Sequence, residues 1–144
     1  MKLNIKKLNE NAIIPTYGTE FSAGADLYNL DQPITIDPHK TVLVHTGIAV
    51  EIPEGYCGLI FARSGLATKR GLAPANKVGV IDADYRGEIM VALHNHSGAD
   101  KVISHGERIA QLVVMPYVAC EFIECDELDS TSRGAGGFGS TGSK

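Results

Sequence analysis

Thr41-Val-Leu-Val-His-Thr-Gly-Ile-Ala-Val-Glu-Ile52, closed at once by Pro53-Glu54-Gly55, is the stretch that decides the fold. Val42 and Val44 alternate before Gly47, and Ile48, Val50 and Ile52 alternate after it. A period of two places these side chains on one face of an extended chain, and β-branched residues pack well on a pleated surface. Working outward, residues 56–62, 78–83, 88–94 and 109–118 are of the same style. Spacings of roughly 8–12 residues between such runs point to an all-β sandwich or barrel. The prolines lie mostly at run edges, where a strand tolerates a missing N–H. Only residues 64–70 read as helix, with Ser64 in the capping position and Gly71 as the stop. These signals place one β domain at 1–129, and only 130–144 departs from globular composition.

A chain of 144 residues can bury a real core, and its 44% hydrophobic and 21% charged content suits a globular domain. The net charge of −4 argues against general nucleic-acid binding, which rests on neutralising many phosphates. It leaves room for one anionic small molecule held by a local cationic cluster. The apolar runs are far too short to span a membrane, and Met1-Lys-Leu-Asn-Ile-Lys-Lys7 has no signal-peptide core. Cys57, Cys120 and Cys125 are odd in number and lack CxxC spacing, so no disulfide framework is expected. A cytoplasmic location follows as the simplest expectation.

Five segments carry residues with chemical potential. In ARSGLA (62–67), Arg63, Ser64 and Gly65 stand where a strand becomes a helix. Unpaired N–H groups and a forked guanidinium can hold an anion there, or the serine simply caps the helix beside a surface arginine. In GVIDADYRGE (79–88), Asp82 extends an apolar run and so risks burial, where it needs a partner. It reads as a salt-bridge member, a general base or a metal ligand. SAGADL (22–27) reads as a turn capped by Asp26. In GERIAQL (106–112), Glu107 and Arg108 form a local ion pair, and Gln111 is a core amide or a ligand contact. His94 and His96 share a strand face, but two ligands are too few for zinc. The tail, RGAGGFGSTG (133–142) and its flanks, is either a frayed terminus or a flap. In the flap, Arg133 and backbone N–H groups hold phosphates while Phe138 stacks on a flat ring.

Taken in this order and spacing, the five segments resemble the motifs of the trimeric deoxyuridine triphosphatase (dUTPase) family. The resemblance spans nearly the whole chain. It implies a distorted jelly-roll-like β-barrel or sandwich with one short helix and a flexible Gly-rich C-terminal tail. It also implies a homotrimer that hydrolyses dUTP to dUMP and pyrophosphate with Mg²⁺. That reaction limits uracil incorporation into DNA and supplies dUMP for thymidylate synthesis.

By the same resemblance, Asp82 activates the water that attacks the α-phosphorus, and Tyr85 lies against the deoxyribose. A hairpin from Asn76 to Met90, with Gly79, Val80 and Ile81, reads uracil. Arg63, Ser64 and Gly65 of another subunit hold phosphates with Gln111 nearby, and Asp26 meets the metal through water. The arm 130–144 of a third subunit brings Arg133, Phe138, Gly139 and Ser140 over the nucleotide. Fifteen extended residues reach roughly 50 Å, enough to cross a subunit. The alternatives are a deoxycytidine triphosphate deaminase of the same fold, which needs a catalytic glutamate, and a non-catalytic nucleotide-sensing trimer.

Overall fold

Short β-branched runs broken by turns can bury their apolar faces only by pairing with distant runs, and that is how the chain is built. The computed structural model describes residues 1–137. In chain order the strands are β1 (Asn4–Lys7), β2 (Thr16–Tyr17), β3 (Ala25–Tyr28), β4 (Ile34–Ile36), β5 (Thr41–His45), β6 (Ile48–Glu51) and β7 (Tyr56–Phe61). Helix α1 (Ser64–Arg70) follows, then β8 (Leu72–Pro74), β9 (Gly79–Ile81), β10 (Met90–Asn95), β11 (Lys101–Ile103) and β12 (Arg108–Pro116). Every pairing is antiparallel. The largest sheet has the order β2-β3-β12-β7-β9, a second runs β5-β10-β8, and the pairs β1-β6 and β11-β4 complete the jelly-roll-like β fold.

The deciding stretch is two strands rather than one. Gly47, at φ 68°, breaks it between β5 and β6, which then join different sheets. Val44, Ile48, Val50 and Ile52 all enter one core with Leu27, Ile36, Leu72, Ile89, Val91, Leu93, Ile103 and Ile109. Burying a dozen such side chains at about 1.5–3 kcal/mol each is the main favourable term. Helix α1 anchors by one buried residue, Leu66, and ends at Gly71. The helix begins one residue earlier than a serine cap implies: Arg63 is the N-cap, still extended at φ −84° and ψ 129°, and makes no side-chain capping bond. Ser64 is therefore already helical, and its hydroxyl is not spent on capping.

Two further local readings are corrected. SAGADL is not all turn, because Ala25–Tyr28 is strand β3 inside the largest sheet. Residues 76–90 do not pair with themselves as a hairpin. β9 pairs with β7, while β10 pairs with β5 and β8, so the segment bridges two sheets. The last backbone bond from the end of β12 to the body runs from Tyr117 N–H to the Gly55 carbonyl, at 3.1 Å. Beyond it, residues 118–130 are exposed and form no strand.

Candidate active site

Strand pairing assembles a polar cleft from three separate segments. Asp26 on β3 and Phe61 on β7 both lie opposite Gln111 on β12, so the three share one row across the sheet. Gln111 Nε2 donates to the Ala62 carbonyl at 2.9 Å, just before Arg63 leads into the helix. Asp26 is only 7% exposed, and both its oxygens are taken by guanidinium groups. Arg63 Nε donates to Oδ1 at 2.7 Å and Arg108 Nη1 donates to Oδ2 at 3.2 Å. A buried carboxylate between two arginines is a paired charge that fixes both partners.

This cleft, of about 830 Å³, is lined by Ser64, Gly65 and Gln111 together with six charged groups. Arg63, Lys69, Arg70 and Arg108 are cationic, while Asp26 and Glu107 are anionic. The local balance is therefore +2 on a chain whose formal charge is −4. Such a concave cationic site on an acidic protein is suited to one polyanion rather than to a long nucleic acid. A Cβ built on Gly65 meets nothing within 4 Å, so the helix entrance borders open space.

A second cleft lies where β9 and β10 face each other, lined by Asn76, Val80, Ile81, Asp82, Tyr85, Glu88 and Met90. Its deeper part is walled by Ile60, Asn76, Gly79, Val80 and Met90. Gly79 is buried against Ile60 and the Asn76 amide. The chain reverses at Asp82–Tyr85, where Tyr85 N–H donates to the Asp82 carbonyl at 3.2 Å. Tyr85 O–H donates to the Glu88 carbonyl at 2.9 Å. Its ring lies so close to Gly87 that a Cβ there would sit 2.6 Å from Cζ. The expected burial of Asp82 is not found. It is exposed and has no ion-pair partner among the described residues, because the reversal lifts it off the sheet.

The two clefts have no lining residue in common, so a single chain gathers the sequence candidates into two half-sites. Arg63, Ser64, Gly65, Gln111 and Asp26 form one, and Asn76 through Met90 form the other. Arg133 lines neither. Its Nε donates to the Gly136 carbonyl at 2.9 Å in a local turn. Phe138, Gly139 and Ser140 lie outside the described residues.

Glu107 and Arg108 do not pair with each other, since adjacent residues of an extended chain project to opposite sides. Glu107 instead pairs with Arg70, and Arg108 with Asp26. Arg108, Lys69 and Arg70 are thus cleft residues missed by local reading. The run Lys69-Arg70 at a helix end was the available signal. His94 and His96 do stand together, with edge-to-face rings 4.4 Å apart. Burial and the charges of His94, Lys77 and His39 push the His96 pKa below 6.5.

Among the described residues no group of three or more His, Cys, Asp or Glu converges to hold a metal. That donor set does not suit Zn²⁺ or a Ca²⁺ cage, but it fits Mg²⁺. Mg²⁺ keeps several waters and is held by substrate phosphates with one or two carboxylates. Asp26 is the buried carboxylate of the cationic cleft, and with both oxygens bonded to arginines it would meet such an ion through that ion's water.

Comparison with known proteins agrees with this geometry. The family model described as dUTPase matches residues 10–142. The deoxyuridine 5'-triphosphate nucleotidohydrolase of Hydrogenobaculum sp. (strain Y04AAS1) is 51% identical, covering 100% of both chains. That of Nautilia profundicola is 54% identical over 99% of each. Among solved structures, a Staphylococcus bacteriophage 80alpha dUTPase mutant with dUpNHpp superposes with TM-score 0.90 at 30% identity, covering 98% of both chains. A phage phi11 dUTPase mutant, described as coordinating a structural Mg(II) ion, gives TM-score 0.82 at 27% identity over 90% of this chain and all of that one. A match from residue 10 to 142, joined to end-to-end relatives at about half identity, means that this chain belongs to the dUTPase family.

Proposed function

We propose that the chain hydrolyses dUTP to dUMP and pyrophosphate in a site completed by neighbouring subunits of a homotrimer. The observation that carries this reading is the split of the site into a cationic cleft and a narrow β9–β10 cleft on separate surfaces of one chain. Each half is incomplete alone, and each suits one part of a nucleotide. Exposed Val118, Phe122, Ile123 and Leu128 beyond β12 supply apolar surface that an assembly would cover.

In this reading the β9–β10 cleft takes the base and sugar. The backbone of Gly79, Val80 and Ile81 with Asn76 and Met90 frames uracil, leaving no room for a 5-methyl group. The Tyr85 ring packs on the deoxyribose and excludes a 2′-hydroxyl. Arg63, Ser64, Gly65 and Gln111 of a second subunit hold the phosphates. Arg133, Phe138, Gly139 and Ser140 of the arm 130–144 from a third subunit close over the nucleotide. Asp82 accepts a proton from water as the water oxygen bonds to the α-phosphorus. The bond from that phosphorus to the α–β bridging oxygen breaks, and pyrophosphate leaves. An exposed carboxylate with no competing partner can take that role once substrate excludes bulk water. The substrate phosphates and Asp26, through water, would hold Mg²⁺, which would supply positive charge to offset that of the triphosphate. The reaction belongs in the cytoplasm, where deoxynucleotides are handled. No helix among the described residues is long and apolar enough to cross a membrane.

A deaminase of the same fold is disfavoured by Glu88, the only glutamate lining the β9–β10 cleft. Its Oε2 is 2.9 Å from His45 Nδ1 and its Oε1 accepts from Gly47 N–H at 2.7 Å, so the carboxylate is turned to the β5–β6 turn and engaged there. Incubation with dUTP or dCTP and Mg²⁺ separates the readings by product. Pyrophosphate from dUTP is expected, and ammonia from dCTP would overturn the proposal. Asp82→Asn should keep dUTP binding while turnover falls by about 10²–10⁴. Turnover equal to wild type would remove Asp82 from the base role.

A further inference from the structure

The loop that carries Tyr85 is fastened to the turn between β5 and β6 rather than to its own strands. Glu88 is the fastener. Its carboxylate receives Gly47 N–H at 2.7 Å and lies 2.9 Å from His45 Nδ1, while its carbonyl accepts the Tyr85 hydroxyl at 2.9 Å. Next along the chain, Thr46 Oγ1 donates to the Ile89 carbonyl, and Ile89 N–H donates to the Ile48 carbonyl at 2.8 Å. Gly47 reaches this arrangement at φ 68°, and a Cβ there would lie 2.8 Å from Leu30 Cδ2. The turn is itself tied down by Leu8 N–H to the Gly47 carbonyl, at 2.7 Å.

We propose that His45 and Glu88 are positioning residues for Tyr85, and that their clasp sets how strongly the enzyme prefers a deoxyribonucleotide over a ribonucleotide. The inference rests on the reading of Tyr85 as the surface against the sugar. A ring that excludes a hydroxyl must hold its place to within a fraction of an ångström, since a yielding ring admits the extra oxygen. Gly87 gives the ring its seat, and the Glu88 carbonyl fixes the tilt of the phenol. Neither holds unless residues 87–89 are themselves held; the Thr46 and Ile48 bonds hold Ile89, and the Glu88 carboxylate holds the residue that carries the Tyr85 acceptor.

The clasp is also sensitive to pH. The hydrogen bond to Glu88 raises the His45 pKa above 6.5, helped by the charges of Glu88 and Asp31. Around His45, Glu88 comes from the loop before β10 and Asp31 from the loop after β3. The facing residue on β10 is Met90, which does not ionise. A raised pKa means the charged clasp is complete below about pH 6.5 and is lost as pH rises through the folded value. Neutral imidazole can still donate from Nδ1, so the clasp weakens rather than vanishes.

The test is the ratio of kcat/KM for dUTP to that for UTP, followed from about pH 6 to about pH 9. Ionisations common to both substrates cancel in this ratio. In wild type the ratio should fall roughly threefold as pH rises across that range. His45→Ala should lower it roughly fivefold at the acid end and flatten its pH dependence. His45→Asn, which puts an amide N–H where Nδ1 stood, should recover most of the ratio without the pH dependence. Glu88→Gln gives a second route to the same flat profile while keeping an acceptor for Gly47. Circular dichroism and Tm confirm that each variant is folded. A wild-type ratio and profile in folded His45→Ala and Glu88→Gln would overturn the inference. Absence of any preference for dUTP in the wild type would instead overturn the assignment of Tyr85.

Discussion

Asp26 takes its character from residues far away in the chain. In SAGADL it reads as a turn cap, yet its partners Arg63 and Arg108 are 37 and 82 residues distant. The pairings of β12 with β3 and with β7 bring them together, and no local pattern encodes those registers. Gly24, two residues earlier, is legible only afterwards. A Cβ there would stand 2.5 Å from Gln111 Oε1 and 3.1 Å from its Cβ, so the glycine makes room for the side chain that bonds to Ala62. Gly24→Ala should therefore displace Gln111 from the cationic cleft. The expected result is a KM for dUTP raised roughly three- to tenfold, with about 1–3 kcal/mol of stability lost to overpacking. Steady-state kinetics beside a thermal melt check this. An unchanged KM would mean that Gln111 moves aside without consequence for binding.

At the scale of elements, alternation was readable where a run was long enough to show a period. Val42 and Val44, then Ile48, Val50 and Ile52, announced β5 and β6, and Ile109 onward announced β12. β4, β8 and β11 have three residues each, too few for a repeat; β8 forms on the edge of the longer β10, and β4 and β11 form on each other. The motif residues were readable as a set, and the family resemblance already divided them between subunits, but the bridging of two sheets by β9 and β10 was not readable. Asn95 was also invisible as a structural residue. It is fully buried at the end of β10, donating to the carbonyls of Ile36, Asp37 and Ala99 at 2.8–3.2 Å and accepting from Ser97. One amide thus fastens the loops after β4 and β10. Asn95→Ala removes two N–H groups shared among three carbonyls and should cost about 3 kcal/mol or more. Differential scanning calorimetry should show Tm lowered by roughly 10 °C. A shift under about 2 °C would show that other donors replace the amide.

At the scale of the whole molecule, the question is which chains complete a site. Asp82 and the cationic cleft sit on separate surfaces, and Arg133 lines neither cleft of its own chain. Phe122 is 95% exposed and Leu128 88%, so the segment leading to the arm leaves apolar side chains uncovered on the isolated chain. A symmetric assembly resolves both facts, since each segment can serve a neighbour by the same rotation. Two inactive proteins distinguish this from a site made within one chain: the Asp82→Asn variant, and a chain ending at residue 129. Every chain in their mixture lacks either the base or the arm. If base and arm must come from one chain, no site in the mixture can work. If they come from different chains, equal and random exchange leaves about one site in four with both, since each requirement is met by half of the subunits. Exchange is followed by native mass spectrometry and activity by pyrophosphate release. Recovery should grow in step with mixed trimers towards about a quarter of the wild-type rate. Mixed trimers with no recovered activity would place base and arm on the same chain and end the shared-site reading.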